Sequence, residues 1–390
     1  MLNQDTDKLV TFTFTNEPAY FEEALQKIKK VTKEQHVIFG LEDIYSFGLH
    51  FSYYLTNRNY DVKLVDPALA SAYRKTLPNY HKSDEFDSLC VAKVLKDEYK
   101  RLPSFQHEVT HSNIKLVVNM REQVVKHQSA NYIILHQQLM KVFPGYRKFF
   151  STLKKRSALA FFKVFPSPRH LKGYSAEALS KEMRLHTTEF PVTRSKKILS
   201  IVRSNLIPFH DPIVEGVIVD IITDIYHKEE RIASLEKQLE ELIQITGYQL
   251  HSIPSVGIVT AAKLIAEIGN IHRFSNQRQL AKFAGISPTS VGSGGKNKEL
   301  VSRGGNRELR ATFFYLAVGM ILVTRYGNSR NEVIRQYYLK KLSEGKTKTQ
   351  ALVCVMRKLV KIVYSLMKSQ KEYVAHVETR EEKVIETVDS

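Results

Sequence analysis

Hydrophobic and polar positions alternate with period two over Leu9–Thr15, a segment rich in Phe and Thr, which predicts a strand. Asn16 and Glu17-Pro18 then open a helix over Tyr20–Lys30, with Phe21, Leu25 and Ile28 on one face. His36–Leu41 (HVIFGL) predicts a short apolar strand and Ser46–Asn57 a helix. Asp61–Val65 predicts another strand, stopped by Pro67, and Ser83 to Lys96 a further helix, with the basic polar stretch Arg74–Lys82 before it. Strand and helix in this alternation predict an α/β layer with a largely parallel sheet.

Beyond residue 110 the strand signals stop. Asn113–Val142 predicts one long helix. From Val217 to Gln244 a heptad runs: Ile218, Ile225, Ile232 and Leu239 fall at a, Ile221, Leu235 and Leu242 at d, and Lys228 breaks the series. Such a pattern fits a coiled coil or a two-helix hairpin packed inside one chain. Residues 145–215 are basic and hold Pro166, Pro168, Pro191, Pro208 and Pro212, the pattern of a less regular helical connector. Residues 251–370 are helical again, interrupted by a Gly/Ser-rich loop over Pro288–Gly305. The expected organisation is an α/β domain over 1–105, a helical linker with the heptad over 106–250, a mainly α domain over 251–370 and a tail over 371–390.

Charge changes the picture from fold to partner. Of 390 residues, 58 are Lys or Arg and 40 are Asp or Glu, a formal charge of +18, so the expected partner is a polyanion, nucleic acid before membrane. The longest apolar run, Phe313–Val323, is shorter than the ~20 residues a bilayer span takes and reads as a buried core helix. No signal-peptide pattern opens the chain, so a soluble, cytoplasmic protein without a membrane role is expected. Cys90 and Cys354 stand too far apart in the chain for a zinc knuckle and read as small buried hydrophobes.

Three constellations can carry chemistry. Glu42 follows the strand HVIFGL at its C-terminal end, the edge where open α/β sheets form sites. Asp84 and Asp87 sit three apart at a helix start and share one face. Converging carboxylates can hold Mg²⁺ and assist phosphodiester cleavage, whereas D-x-x-D at a helix start also serves as a cap plus a solvated acid. Ser252-Ile-Pro-Ser-Val-Gly257 followed by Ile258–Ile268 is a helix-hairpin-helix pattern, in which Ser255 and Gly257 offer a turn for a DNA phosphate, or else an ordinary packed hairpin. Ser293, flanked by Gly292, Gly294 and Gly295, lies beside Lys296, Lys298, Arg303, Arg307 and Arg310. A serine there can bind a phosphate or attack it, with the cations stabilising the charge that develops, or it can be a turn residue of a solvated basic loop.

Order and spacing join the three. G-L-E-x-x-x-x-x-G at Gly40–Gly48, V-x-x-V-D-P at Val62–Pro67 and H-K-S-D-x-x-D-S at His81–Ser88 resemble the RuvC-like DEDD domain of the insertion sequence 110 family of transposases. Ile253–Gly257, Phe274–Gly285, Ser293-Gly-Gly-Lys296 and Arg303-Gly-Gly-Asn-Arg307-x-x-Arg310 resemble that family's second domain. The resemblance covers nearly the whole chain. It implies a RuvC/RNase H-like first domain, Mg²⁺ held by carboxylates, a serine that links covalently to DNA, and a recombinase guided by an element-encoded RNA and acting as a dimer or tetramer on double-stranded DNA. Glu42, Asp84 and Asp87 match three of the four acids, and Ser293 matches the serine. The family's first acid lies in a strand preceding the segment matched by Thr11–Thr15. Asp5 and Asp7, read as a turn, do not take its role, so the metal site and sheet are expected to be incomplete as written. Two further readings remain open: a catalytically inactive nucleic-acid-binding remnant, and a RuvC-like nuclease that forms no covalent intermediate.

Overall fold

The structure, a computed structural model, describes residues 1–2, 10–33, 35–42, 47–76, 83–105, 109–204, 211–293, 296–301 and 304–374, with backbone only over 288–293 and 296–301. It divides into two units, Met1–Val109 and Thr110–Ser390.

In the first unit, helix α1 (Pro18–Thr32) precedes strand β1 (Ile38–Leu41), α2 (Leu49–Thr56), β2 (Asp61–Leu64), α3 (Pro67–Thr76) and α4 (Asp84–Glu98). Pro18 stands in the first turn of α1, where its missing N–H costs nothing, and Phe21, Leu25 and Ile28 form the buried stripe. β1 and β2 pair in parallel, Ile38 opposite Asp61 through Leu41 opposite Leu64. Phe105 N donates to Val62 O at 2.7 Å, bringing the chain after α4 back onto β2. Phe21, Leu25, Phe51, Leu55 and Val62 make one core, and Val65, Ala70, Val91, Val94 and Leu102 a second. The alternation of strand and helix is as the pattern predicts. Two expectations change. Residues 10–15 join no ladder; Phe14 instead lies 5.0 Å from Phe51, so the alternation marks an extended segment that packs by its aromatic face without a strand neighbour. The stretch after Pro67 begins a helix, because Asp66 accepts from the Ala68 N–H at 2.7 Å and Pro67 suits the first helical position.

The second unit is built on two long helices, α5 (Val109–Val142) and α9 (Pro212–Thr246). They run antiparallel side by side, since Arg121 meets Glu236 at 2.7 Å and Asn131 donates to Asp224 at 2.8 Å. Between them in sequence come α6 (Arg156–Val164), α7 (Ala176–Arg184) and α8 (Val192–Ser204). This stretch, read as an irregular connector, encloses a core: Phe143, Phe150, Phe161, Phe162 and Phe190 are buried against Leu135 and Leu139 of α5 and Ile218, Ile222 and Ile225 of α9. Pro168 and Pro212 open helical turns, Pro191 directly precedes α8 and Pro166 lies in a bend, which is why they did not prevent helices; Pro208 lies outside the described residues. Ile218, Ile225, Leu235 and Leu239 of the heptad are buried within one chain, the packed two-helix alternative.

The second core takes the far ends of the same helices, Ile114 and Val118 of α5 and Leu239 and Ile243 of α9. Around it lie α10 (Ile258–Ile268), α11 (Gln277–Phe283), strands β3 (Pro288–Ser293) and β4 (Lys296–Val301), α12 (Arg307–Ile321), α13 (Glu332–Ser343) and α14 (Lys348–Ser369). In α14, Ala351, Val355, Leu359, Val363 and Met367 recur every fourth residue and are buried, and a Thr347–Gln350 capping box starts the helix. Two more expectations change here. The Gly/Ser-rich segment is an antiparallel hairpin, not a loop; the Gly-Gly pair between alternating residues is the signal for one. α12 buries Phe313, Leu316, Ala317 and Met320, but exposes Phe314 and Tyr315, so the apolar run is buried on one face only. No described helix is long and apolar enough to cross a membrane. Cys90 is buried and Cys354 half-buried, both as free thiols.

Candidate functional site

The acids of the first unit stand on two elements, Glu42 after β1 and Asp84 and Asp87 on α4. Glu42 follows the last residue of β1 and is half-buried. Asp84 opens α4 and is exposed, one residue after Ser83, whose side chain accepts from the Phe86 N–H. An acid in that first turn is favoured by the helix dipole whatever its chemistry. Asp87 is half-buried and faces Arg74 of α3 at 2.6 Å. α4 reaches β1 through Leu95, which would lie 2.9 Å from a Cβ on Gly40. Leu95 is three turns past Asp84, so the two ends of that stretch stand ~16 Å apart along the axis. Carboxylate oxygens are the donors Mg²⁺ prefers. Among the described residues, however, no three His, Cys, Asp or Glu side chains gather closely enough to hold a metal ion, and Asp87 is taken by a guanidinium. As placed in this structure, the three carboxylates do not make a metal site. Asp5 and Asp7 lie outside the described residues.

Ser293 is the last residue of β3, registered opposite Lys296, with Val291 opposite Lys298. Strand register thus puts the serine at the end of the hairpin, next in sequence to Gly294-Gly295. The base of the hairpin is clamped. Gly285 and Gly305 have φ of 66° and 103°, the left-handed region. A Cβ on Gly305 would meet Gly285 N at 2.5 Å and Phe283 O at 2.8 Å. Only glycine permits both the dihedral and the approach. Asn306 completes the clamp. Its N–H donates to Phe283 O at 2.7 Å, its side-chain oxygen caps α12 at the Leu309 N–H (2.8 Å), and its Nδ2 donates to Glu267 Oε2 at 2.7 Å.

Glu267 sits in the last turn of α10, where the helix dipole disfavours an anion. It is largely buried and has two polar partners: Asn306 and, at 3.4 Å, Lys115. α10 in turn starts at Gly257, its exposed N-cap, after Ser255, a non-glycine residue at φ 72°. One helix therefore joins the Pro-Ser-Val-Gly turn to the base of the serine hairpin. Arg307 (exposed) and Arg310 (half-buried) lie in the first turn of α12 just beyond the clamp. Cations are disfavoured at a helix N-terminus, so their position suits an anion drawn to the same place. Arg303 lies outside the described residues. The structure thus gathers Ser293, Lys296 and Lys298 on one hairpin, with Arg307 and Arg310 following its base, and does not gather the three acids into one cluster.

Glu267, Asn306 and Arg74 were not singled out by sequence. Asn306 carried a signal, an N-cap residue before an apolar-periodic helix, hidden inside a glycine-basic motif. Glu267 and Arg74 act through partners distant in sequence, and no local pattern reports that.

Residues 247–338 match the family described as Transposase IS116/IS110/IS902 family, and residues 1–144 match a DEDD transposase family of IS110 type. An insertion element IS110 protein of 43.6 kDa from Streptomyces coelicolor is 31% identical over 150 residues, 38% of this chain and 35% of the relative. The transposase for insertion sequence element IS1111A of Coxiella burnetii is 28% identical over 165 residues, 42% of this chain and 44% of that one. A pilin gene-inverting protein of Moraxella bovis is 29% identical over 158 residues, 38% and 47% of the two chains. The chain spans between a third and a half of the length of these curated relatives.

Proposed function

The chain belongs to the IS110 family of insertion-sequence transposases, and on that premise we propose that it cuts and rejoins double-stranded DNA with Ser293 as the nucleophile. The observation that carries this reading is the clamped hairpin, which holds Ser293 at its end opposite Lys296 above a base followed by Arg307 and Arg310. Attack by the serine oxygen forms a phosphoserine bond as phosphorus loses one deoxyribose oxygen. The serine proton is given up and the released hydroxyl takes one. Because one phosphoester replaces another, the reverse attack by a DNA hydroxyl can rejoin the strand without an external energy source. Cations near the phosphate oppose its charge in the transition state.

The match to a DEDD transposase family suggests a RuvC-like first unit, in which Glu42, Asp84 and Asp87 are the residues that would hold a divalent cation such as Mg²⁺. That assignment requires Asp87 to leave Arg74 and all three carboxylates to converge. A guide RNA and a dimeric or tetrameric assembly belong to the same proposal. Joining two duplexes needs more than one active serine, and the charge of +18 suits both nucleic acids. Among the relatives, the Coxiella burnetii protein is named a transposase and the Moraxella bovis protein a pilin gene-inverting protein, names that fit strand exchange better than plain hydrolysis.

The test is a denaturant-resistant protein–DNA adduct. Ser293→Ala abolishes it while leaving salt-dependent DNA binding in place. Adduct formation by Ser293→Ala removes the nucleophile assignment. Cleavage that continues in that variant without any adduct favours the plain nuclease, and binding without cleavage in the unaltered chain favours the inactive remnant.

A further inference from the structure

A second basic feature lies apart from the serine hairpin's own cations. α11, α13 and α14 enclose a cleft of about 450 Å³ lined by Arg278, Ser287, Tyr337, Arg357, Lys358 and Lys361. We propose that this cleft holds the phosphodiester backbone of a DNA strand.

Four cations share one concavity. Among the described residues, no carboxylate forms an ion pair with any of them. Glu344 is taken by Lys341 at 2.8 Å. Like charges at Arg357 and Lys361 are four apart on α14, a spacing that destabilises a helix. Arg278 stands in the first turn of α11, where the dipole also disfavours a cation. Two separate elements, α11 and α14, thus accept unfavourable charge at one place. Tyr337 lines the cleft with a flat ring, and Lys358 Nζ lies 4.6 Å from its centroid. Cations around an aromatic face are what a nucleic-acid backbone with an adjacent base meets.

Ser287 ties the cleft to the reaction. It is the residue before β3, and Ser293 ends that strand, so the two lie at most ~20 Å apart along extended chain. A strand gripped in the cleft is within a few nucleotides of the serine. The choice of DNA over RNA rests on the reading of Ser293 given above, since DNA is the strand that serine attacks.

The full-length chain is titrated against a fluorescein-labelled DNA duplex, and against RNA of the same sequence, over a salt series. R357E/K361E should lower DNA affinity about tenfold or more at physiological salt and reduce the log–log salt slope by about 1.8, two contacts at ~0.9 each. R357K/K361R, which preserves charge, should keep both. If the reversed variant melts early by circular dichroism, Arg357→Gln with Lys361→Gln replaces it, with the same loss of slope expected. Unchanged DNA affinity and slope overturn the assignment, as does a loss confined to RNA. The two readings fail separately: an adduct from Ser293→Ala ends the serine assignment alone, and unchanged DNA binding by R357E/K361E ends the cleft assignment alone.

Discussion

The carboxylates of the first unit and the serine hairpin of the second place their chemistry by opposite means. Glu42, Asp84 and Asp87 come from a strand end and a helix start, and among the described residues no cluster draws all three together. Their mutual geometry depends on how whole elements pack. Ser293 depends on a hairpin whose two strands are neighbours in sequence and whose base is fixed by backbone approach, a cap and one carboxamide–carboxylate contact. A site of the second kind is pre-positioned by its own local chain. A site of the first kind needs something further, such as a ligand or another segment, to bring its members to one point.

The strongest way to break the contrast is at the clamp. Gly305→Ala puts a Cβ 2.5–2.8 Å from the backbone of Gly285 and Phe283, at a φ of 103°. Strain and overpacking together should cost about 3 kcal/mol. Gly304→Ala next door meets nothing within 4 Å and should cost under ~1 kcal/mol. Denaturant midpoints followed by far-UV circular dichroism measure both. Equal midpoints for the two variants would mean that the base of the hairpin is not clamped as described.

A smaller effect is expected one residue on. Asn306→Ala removes the α12 cap and leaves the largely buried Glu267 without its 2.7 Å donor. The cap alone is worth about 1 kcal/mol and the stranded carboxylate about 1–3 more. Asn306→Asp keeps the cap but sets a second carboxylate against Glu267; it should fall below Asn306→Ala unless Glu267→Gln is added, which restores a donor. Failure of Glu267→Gln to rescue Asn306→Asp would show that the two side chains do not meet.

The same contrast decides what sequence could reveal. α1, β1, α2, β2 and α4 were legible because each is short, periodic and bounded by Pro, Asn or Ser. α3 was hidden because Pro67 was read as a stop, although proline ends one element and begins the next equally well. The phenylalanine core over 143–190 was hidden behind its basic and proline content, which reports surface and turns, not what lies beneath. In the site, Ser293 and its cations were legible because one loop carries them. The clamp was not, since Gly285 and Gly305 matter through a contact across the hairpin. Separation of the acids was equally beyond reach, because three carboxylates on predicted elements do not fix a distance.

The smallest effect sharpens the contrast through pH. In the first unit, Tyr54 is bonded to the exposed Glu22, and its hydroxyl is raised from the ordinary tyrosine value by burial and by that carboxylate. In the second unit, Tyr132 of α5 is pushed up to about 12, chiefly by burial and then by Glu229 of α9. A raised folded value means the unfolded chain loses its proton first. Stability from Tyr132 is therefore complete below pH ~10 and is lost as pH rises toward 12. Tyr132→Phe should remove that part of the alkaline decline while changing the neutral midpoint less than Asn306→Ala does. Tyr54→Phe, on a surface pair, should leave the decline of the helical signal in place, because most helix lies in the second unit. If Tyr54→Phe flattened the alkaline curve and Tyr132→Phe did not, the antiparallel packing of α5 on α9 would not be what holds the second unit's two cores together.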